Sequence, residues 1–178
     1  MKRHVFGIVG CALCLAQSVL AQIEKNAVGT IIASIGDASY EGETLDVPAE
    51  GTATAEFRSL GPITSISIQG HDPKAESIMS NVLSLDIMVM GNDASATVTT
   101  ATVSYFPDGM SAAFYNNEHS ATQAQVVFDT LSLEDGASRA VGRFTAVVCR
   151  KDDYFSETDE TDCIPVEGVF DTVLRNAG

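Results

Sequence analysis

The chain has 178 residues, 24 acidic against 10 basic side chains, and a formal net charge of −14. So few Lys and Arg speak against a nucleic-acid partner, because duplex binding rests on neutralising phosphates. A hydrophobic fraction of 45% is too high for an acidic disordered chain, and the length suits one domain.

Met1, Lys2, Arg3 and His4 form a short basic start, followed by an uncharged run over residues 5–21 that ends on Ala21. Basic start, apolar middle and small-residue exit are the three parts of a secretory signal. The run is near the lower limit for a membrane span and contains Gln17 and Ser18. Cleavage after Ala21 is therefore the expectation. Ile8, Val9, Gly10 and Cys11 offer a lipoprotein alternative with Cys11 lipidated, but only the short apolar stretch 5–10 would precede that site. Removing 21 residues leaves 157, read as a single domain over residues 22–178. Lys2 and Arg3 leave with the signal, so the mature balance is 8 bases and 24 acids, or −16. Cys149 and Cys163 are the cysteines that stay, and an even count in an exported chain predicts one disulfide. The mature chain has no apolar run long enough for a transmembrane helix. The expected location is the periplasm or the cell exterior.

From residue 28 onward, turn signals recur about every ten residues, separated by segments rich in Val, Ile, Thr and Phe. Residues 28–35 form the first strand, and Gly36 with Asp37 the first turn. Glu41, Gly42 and Glu43 read as a second turn, and residues 52–57 as a weaker strand. After Gly61 and Pro62, residues 63–69 alternate, with Thr64, Ile66 and Ile68 on one face and Ser65, Ser67 and Gln69 on the other. Period two is the mark of a sheet with one wet face. Residues 82–90 repeat it with Leu83, Leu85, Ile87 and Val89 inward, and residues 96–106 return. Pro107, Asp108 and Gly109 make a strong turn, and residues 110–115 are read as its second arm. Residues 123–133, 139–149 and 166–174 are the last strands. Phe144, Ala146 and Val148 share one face, and Phe170 and Leu174 point inward. Only residues 74–83 could hold a helical turn or two. About ten short strands with regular turns predict an all-β fold, an antiparallel β-sandwich with a barrel as the alternative.

Between the cysteines lie residues 150–162, of which Asp152, Asp153, Glu157, Asp159, Glu160 and Asp162 are acidic. The flanking strands are expected to end at the cysteines, so that the bridge pins the base of a long loop. Clustered carboxylates can supply the six to eight oxygens that Ca²⁺ takes, which makes these six residues a candidate calcium site. Their spacing is not that of an EF-hand. The competing reading is a solvated acidic loop that aids solubility. Tyr154 and Phe155, set among the acids, form a contact surface or tuck beneath the loop.

Other chemistry is sparse. His71 and His119 lie in expected loops beside Asp72 and Glu118, and each pair could act as a base or hold a metal. There is no G-x-S-x-G elbow, no H-E-x-x-H, no P-loop and no G-x-G-x-x-G. Tyr105, Phe106, Phe114 and Tyr115 flank the Pro107 turn as cross-strand aromatic pairs. The sharper reading is a carbohydrate-stacking platform, against which the lack of Trp counts. Met79, Met88, Met90 and Met110 read as packing.

The block 60–70, LGPITSISIQG, and the ending 165–172, PVEGVFDT, resemble exported alphaproteobacterial proteins of unknown function. The resemblance implies export and an all-β domain and carries no activity. The resulting expectation is an exported, non-enzymatic binding or structural module for a protein or glycan ligand. The alternatives are a calcium-dependent binder using residues 150–162 and a hydrolase assembled from loops.

Overall fold

The computed structural model describes residues 24–118, 120, 122–134 and 136–178. The expected signal, the lipidation site at Cys11 and the candidate base His119 lie outside the described residues. Among those residues there is no helix, and the all-β expectation holds. Twelve strands form one mixed sheet: β1 (Asn26–Ile35), β2 (Ala38–Val47), β3 (Thr52–Ala53), β4 (Ala55–Leu60), β5 (Ile63–His71), β6 (Val82–Met90), β7 (Thr97–Phe106), β8 (Phe114–Asn116), β9 (Gln125–Ser132), β10 (Arg139–Lys151), β11 (Asp159–Val173) and β12 (Arg175–Asn176). All pairings are antiparallel except β12 beside β4.

The turns follow the residues that favour them. Gly36 opens the two-residue β1–β2 turn at φ 57°, and Gly61 opens the β4–β5 turn at φ 70° ahead of Pro62. Both backbones sit in the left-handed region that favours glycine. The expected turn at Glu41, Gly42 and Glu43 is instead the middle of β2. Gly42 is there for space: a Cβ on it would meet the Tyr40 hydroxyl at 2.5 Å. Residues 74–83 form turns and the start of β6, with no helical segment.

The strand path runs β4-β5-β6-β7-β8-β10-β11-β1-β2-β3, with β9 beside the first half of β10 and β8 beside its end. The path also meets itself. Glu43 of β2 pairs with His71 of β5. Thr54, between β3 and β4, ties the same two strands. Its amide donates to Leu45 O at 2.7 Å and its carbonyl accepts from Gln69 N at 2.7 Å. Its hydroxyl accepts from Leu45 N at 2.8 Å and donates to Gln69 O at 2.9 Å. The sheet therefore wraps around one core, in which Ile31, Ile66, Leu85, Val103, Phe144 and Phe170 are all but completely buried. The inward faces predicted for residues 63–69, 82–90, 139–149 and 166–174 are the faces that pack there. Full burial of such side chains contributes roughly 1.5–3 kcal/mol each. A smaller cluster of Val82, Phe106 and Phe114 packs on the opposite face of the sheet with Met110.

Cys149 and Cys163 form a disulfide across directly opposed positions of β10 and β11, with Cα atoms 4.0 Å apart. The strands do not end there, contrary to expectation. After a register jump, Arg150 pairs with Asp159, so the free loop shrinks to residues 152–158 and residues 160–162 bulge from β11. Closing a loop of this size stabilises by about 3 kcal/mol through the unfolded chain. Without reductant, the mature protein, cleaved after Ala21, is expected to show no free thiol. Replacing both cysteines by serine is expected to lower unfolding free energy by up to about 3 kcal/mol in denaturant titrations, with the fold retained.

Candidate functional site

The chemistry gathers at the end of the sheet that carries the disulfide. Arg150 lies among the acids of the calcium candidate. Its Nε and Nη2 donate to Asp152 Oδ1 at 3.2 and 3.1 Å, and its Nη1 lies 3.9 Å from Asp162 Oδ2. With Glu157 and Asp159 these residues line a hollow of about 220 Å³. Other carboxylates serve the backbone. Asp153 Oδ1 accepts from the amides of Phe155 and Ser156 at 2.7 and 2.8 Å. Asp159 Oδ1 accepts from the amide and hydroxyl of Thr161 at 2.9 and 2.6 Å. These bonds hold both carboxyls below the ordinary range, led by the Phe155 amide for Asp153 and the Thr161 hydroxyl for Asp159. Among the described residues, no three His, Cys, Asp or Glu side chains stand together to hold a metal ion. Tyr154 and Phe155 part ways: the Tyr154 ring packs on Phe114 at 4.8 Å, whereas Phe155 is fully exposed at the loop tip.

Beside this loop opens a cavity of about 370 Å³, lined by Tyr40, Tyr105, Tyr115, Asn81, Ser39 and Pro107 above Ile35 and Ile164. The three tyrosine rings form a row. Tyr40 meets Tyr105 edge-on at 6.5 Å, and Tyr105 meets Tyr115 at 6.5 Å with a 30° tilt. Tyr40 is anchored by its hydroxyl, which donates to Gly70 O at 2.6 Å and accepts from Leu83 N at 3.2 Å. Tyr105 donates to Asn81 Oδ1 at 2.9 Å, and Asn81 Nδ2 donates to Asp72 Oδ2 at 2.6 Å. At the other end Tyr115 reaches Asp162 at 3.4 Å. Burial pushes all three phenols up from their ordinary value, so they remain protonated donors at neutral pH. Asn81 is the one described non-glycine residue at positive φ, 54°, and its amide donates to Pro107 O at 2.9 Å. Asn tolerates this conformation better than most residues, yet it still costs of order 1 kcal/mol, a strain common at binding sites.

His71 does not join a catalytic pair. It is buried, its Nδ1 donates to the Ile78 carbonyl at 2.7 Å, and its Nε2 has no partner among the described residues. No described Ser, Thr or carboxylate hydrogen-bonds to it. A hollow of about 500 Å³ lies elsewhere, on the outer face of β9, β10, β11 and β1. There Val127, Arg143, Val169 and Ile32 stand in one transverse row. Arg143 is tied to Asp129 at 2.8 Å, and Ser34, Gln125, Thr145 and Glu167 are the other polar residues of the lining. The tyrosine cavity, smaller but with oriented donors, is the better-formed site.

Sequence reasoning singled out Tyr105 and Tyr115 as a hairpin pair but missed Tyr40 and Asn81. Tyr40 sat before a misread turn and Asn81 inside the one stretch with helical character, so neither was placed beside the pair. No protein-family model matches the chain, nor does any curated protein or solved structure.

Two outcomes are expected here. Because Arg150 already stands among Asp152 and Asp162, millimolar Ca²⁺ should leave the melting midpoint unchanged; a clear rise would restore the calcium reading. His71, whose pKa burial lowers from 6.5, should titrate below that value by NMR of its ring protons. The sign follows: the unfolded state binds the proton first, so stability is complete above 6.5 and falls as pH drops through and below it.

Proposed function

We propose that this chain is an exported, non-catalytic binding module that takes a neutral, hydroxyl-rich ligand of the glycan type in the tyrosine cavity. The observation that carries this reading is the Tyr40–Tyr105–Tyr115 row beside an Asn81 amide held in a strained backbone. Flat ring faces receive the apolar face of a sugar, while phenol and amide groups meet its hydroxyls. No charged side chain lines the cavity, which favours an uncharged ligand. Export is supported by the basic-then-apolar start of the chain and by the disulfide, which belongs to an oxidising compartment. The missing Trp is met by three tyrosines acting together.

The same absence provides the assay. The chain has four tyrosines and no Trp, and three of the four line the cavity, so intrinsic tyrosine fluorescence reports on it directly. Titration with soluble neutral oligosaccharides, a panel of gluco-, manno- and chito-oligomers, is expected to give a saturable change for at least one member. Tyr105→Ala should weaken that member at least tenfold, about 1.4 kcal/mol, through loss of stacking and of the Asn81 bond. No saturable response to any member at millimolar concentration would refute the reading.

A further inference from the structure

The outer face of β9, β10, β11 and β1 carries apolar side chains where the wet face of an antiparallel sheet is normally polar. Ile32 and Val169 are direct ladder partners on β1 and β11, and they are 54% and 52% exposed. Val127 and Val173 stand exposed on the same face. One register row crosses it: Glu41 on β2, then Ile32, Val169, Arg143 and Val127. From β2 to β10 the row reads acid, apolar, apolar, base. Both charged ends reach solvent, with side chains 65% exposed for Glu41 and 58% for Arg143. Each has a companion in its own chain, Lys74 at 3.8 Å from Glu41 and Asp129 at 2.8 Å from Arg143. Exposed pairs of this kind contribute little, so their charges are free to pair again.

This order is complementary to itself. A twofold axis running along the strands, between Ile32 and Val169, reverses the row in a facing copy. Each Glu41 then meets Arg143 of the second copy, and each Ile32 meets Val169 of the second copy. Val169 and Arg143 line the hollow of about 500 Å³, so Ile32 of the second copy enters it and apolar surface leaves water on both sides. In the flanking rows Glu167 meets Ser34, Asp171 meets Thr30 and Glu43 meets Val141, so no carboxylate of these rows faces another. The companions agree in sign as well, since Glu41 with Lys74 opposes Arg143 with Asp129. A twofold axis across the strands would instead set Glu41 on Glu41 and Arg143 on Arg143, which repel. The favoured axis keeps the strands of the two sheets nearly aligned, a common mode of face-to-face sheet packing.

We propose that this face docks a second copy of the chain, in a twofold dimer with Ile32 of each copy in the hollow of the other and Glu41 against Arg143. The surface shares no residue with the tyrosine cavity and does not rest on its ligand. Strands about 4.8 Å apart and a β1–β11 ladder rising about 3.3 Å per residue give a contact of roughly 400 Å² per copy, about half a standard interface. The dimer is therefore weak and fills toward millimolar chain. The test is sedimentation equilibrium of the mature, disulfide-intact chain from micromolar to millimolar, at physiological salt, which screens the net charge of −16. The mass should rise toward that of a dimer. Arg143→Glu and Glu41→Arg should each weaken association at least tenfold, because each places like charges together at both symmetric contacts. An equimolar mixture of the two variants should recover it, since each supplies the sign the other lacks. Both positions are exposed, so their melting midpoints should stay near that of the unaltered chain. If either variant does not fold, Ile32→Lys should remove association instead. A chain that stays monomeric at millimolar concentration, undiminished association in a folded variant, or a mixture that stays monomeric would each overturn the proposal.

Discussion

Everything in this molecule depends on the sheet meeting itself at Thr54. An open twelve-stranded sheet has two long edges, and each edge is a row of unpaired amides and carbonyls. Here the chain leaves β3, passes through one residue and enters β4, and that residue bonds to β2 on one side and β5 on the other. A hydroxyl is required, because it both accepts from Leu45 and donates to Gln69. The pairing of Glu43 with His71 extends the join. With β2 and β5 held together, one face of every long strand is turned inward. Tyr40 can then reach from β2 to the backbone of β5 and β6, satisfying its buried hydroxyl. The tyrosine cavity exists because that join sets Tyr40 beside Tyr105.

Charge is handled locally rather than globally. The acids of residues 152–162 are mostly spent on short-range duties: two hold backbone amides, and two share Arg150. The loop keeps a net negative charge all the same, because Arg150 pairs with two of its six acids and hydrogen bonds from amides orient a carboxylate without neutralising it. Strand alternation then separates two adjacent cations. Arg150 turns toward Tyr115 and the acids, whereas Lys151 turns to the opposite face beside Phe114. One becomes a solvated ion-pair hub, and the other packs its stem beside Phe114 with Asp153 as an electrostatic neighbour.

The fold was legible where periodicity was clean and local. Leu83, Leu85, Ile87 and Val89 announced their inward face, and Phe170 and Leu174 did the same near the end of the chain. The misreadings share one cause, namely that partners far apart in sequence override a local signal. Gly42 looked like a turn residue because its use, making room for the Tyr40 ring, depends on packing within the formed sheet. The first half of β11 was hidden by its acids and Pro165, yet it pairs with β10 on both sides of the bulge at residues 160–162. The site was less legible still. Tyr105 and Tyr115 could be matched through a nearby turn, but Tyr40 joins them from 65 residues away in sequence, which only the closure at Thr54 determines.

The disulfide sits where these features intersect. Cys149 is the ladder partner of Asn116, so the bridge continues the polar row of Ser84, Ser104 and Asn116 across to β11. One residue beyond it the chain turns Arg150 to one face, and two residues beyond it Lys151 to the other. Without a covalent tie, the register jump between Cys149 and Arg150 would be a natural place for the two strands to slip or fray, because bulges disrupt the ladder. The bridge fixes the strands just before the jump. It thereby holds the Asp162 end of the tyrosine row and the Arg150–Lys151 end of β10 in one frame. Its stabilising effect on the whole chain comes from the unfolded state, but its local effect falls on both faces of one short stretch of β10. A bond placed to close a loop elsewhere would confer similar global stability; placed here, it also fixes the register next to the Tyr115–Asp162 contact of the tyrosine cavity.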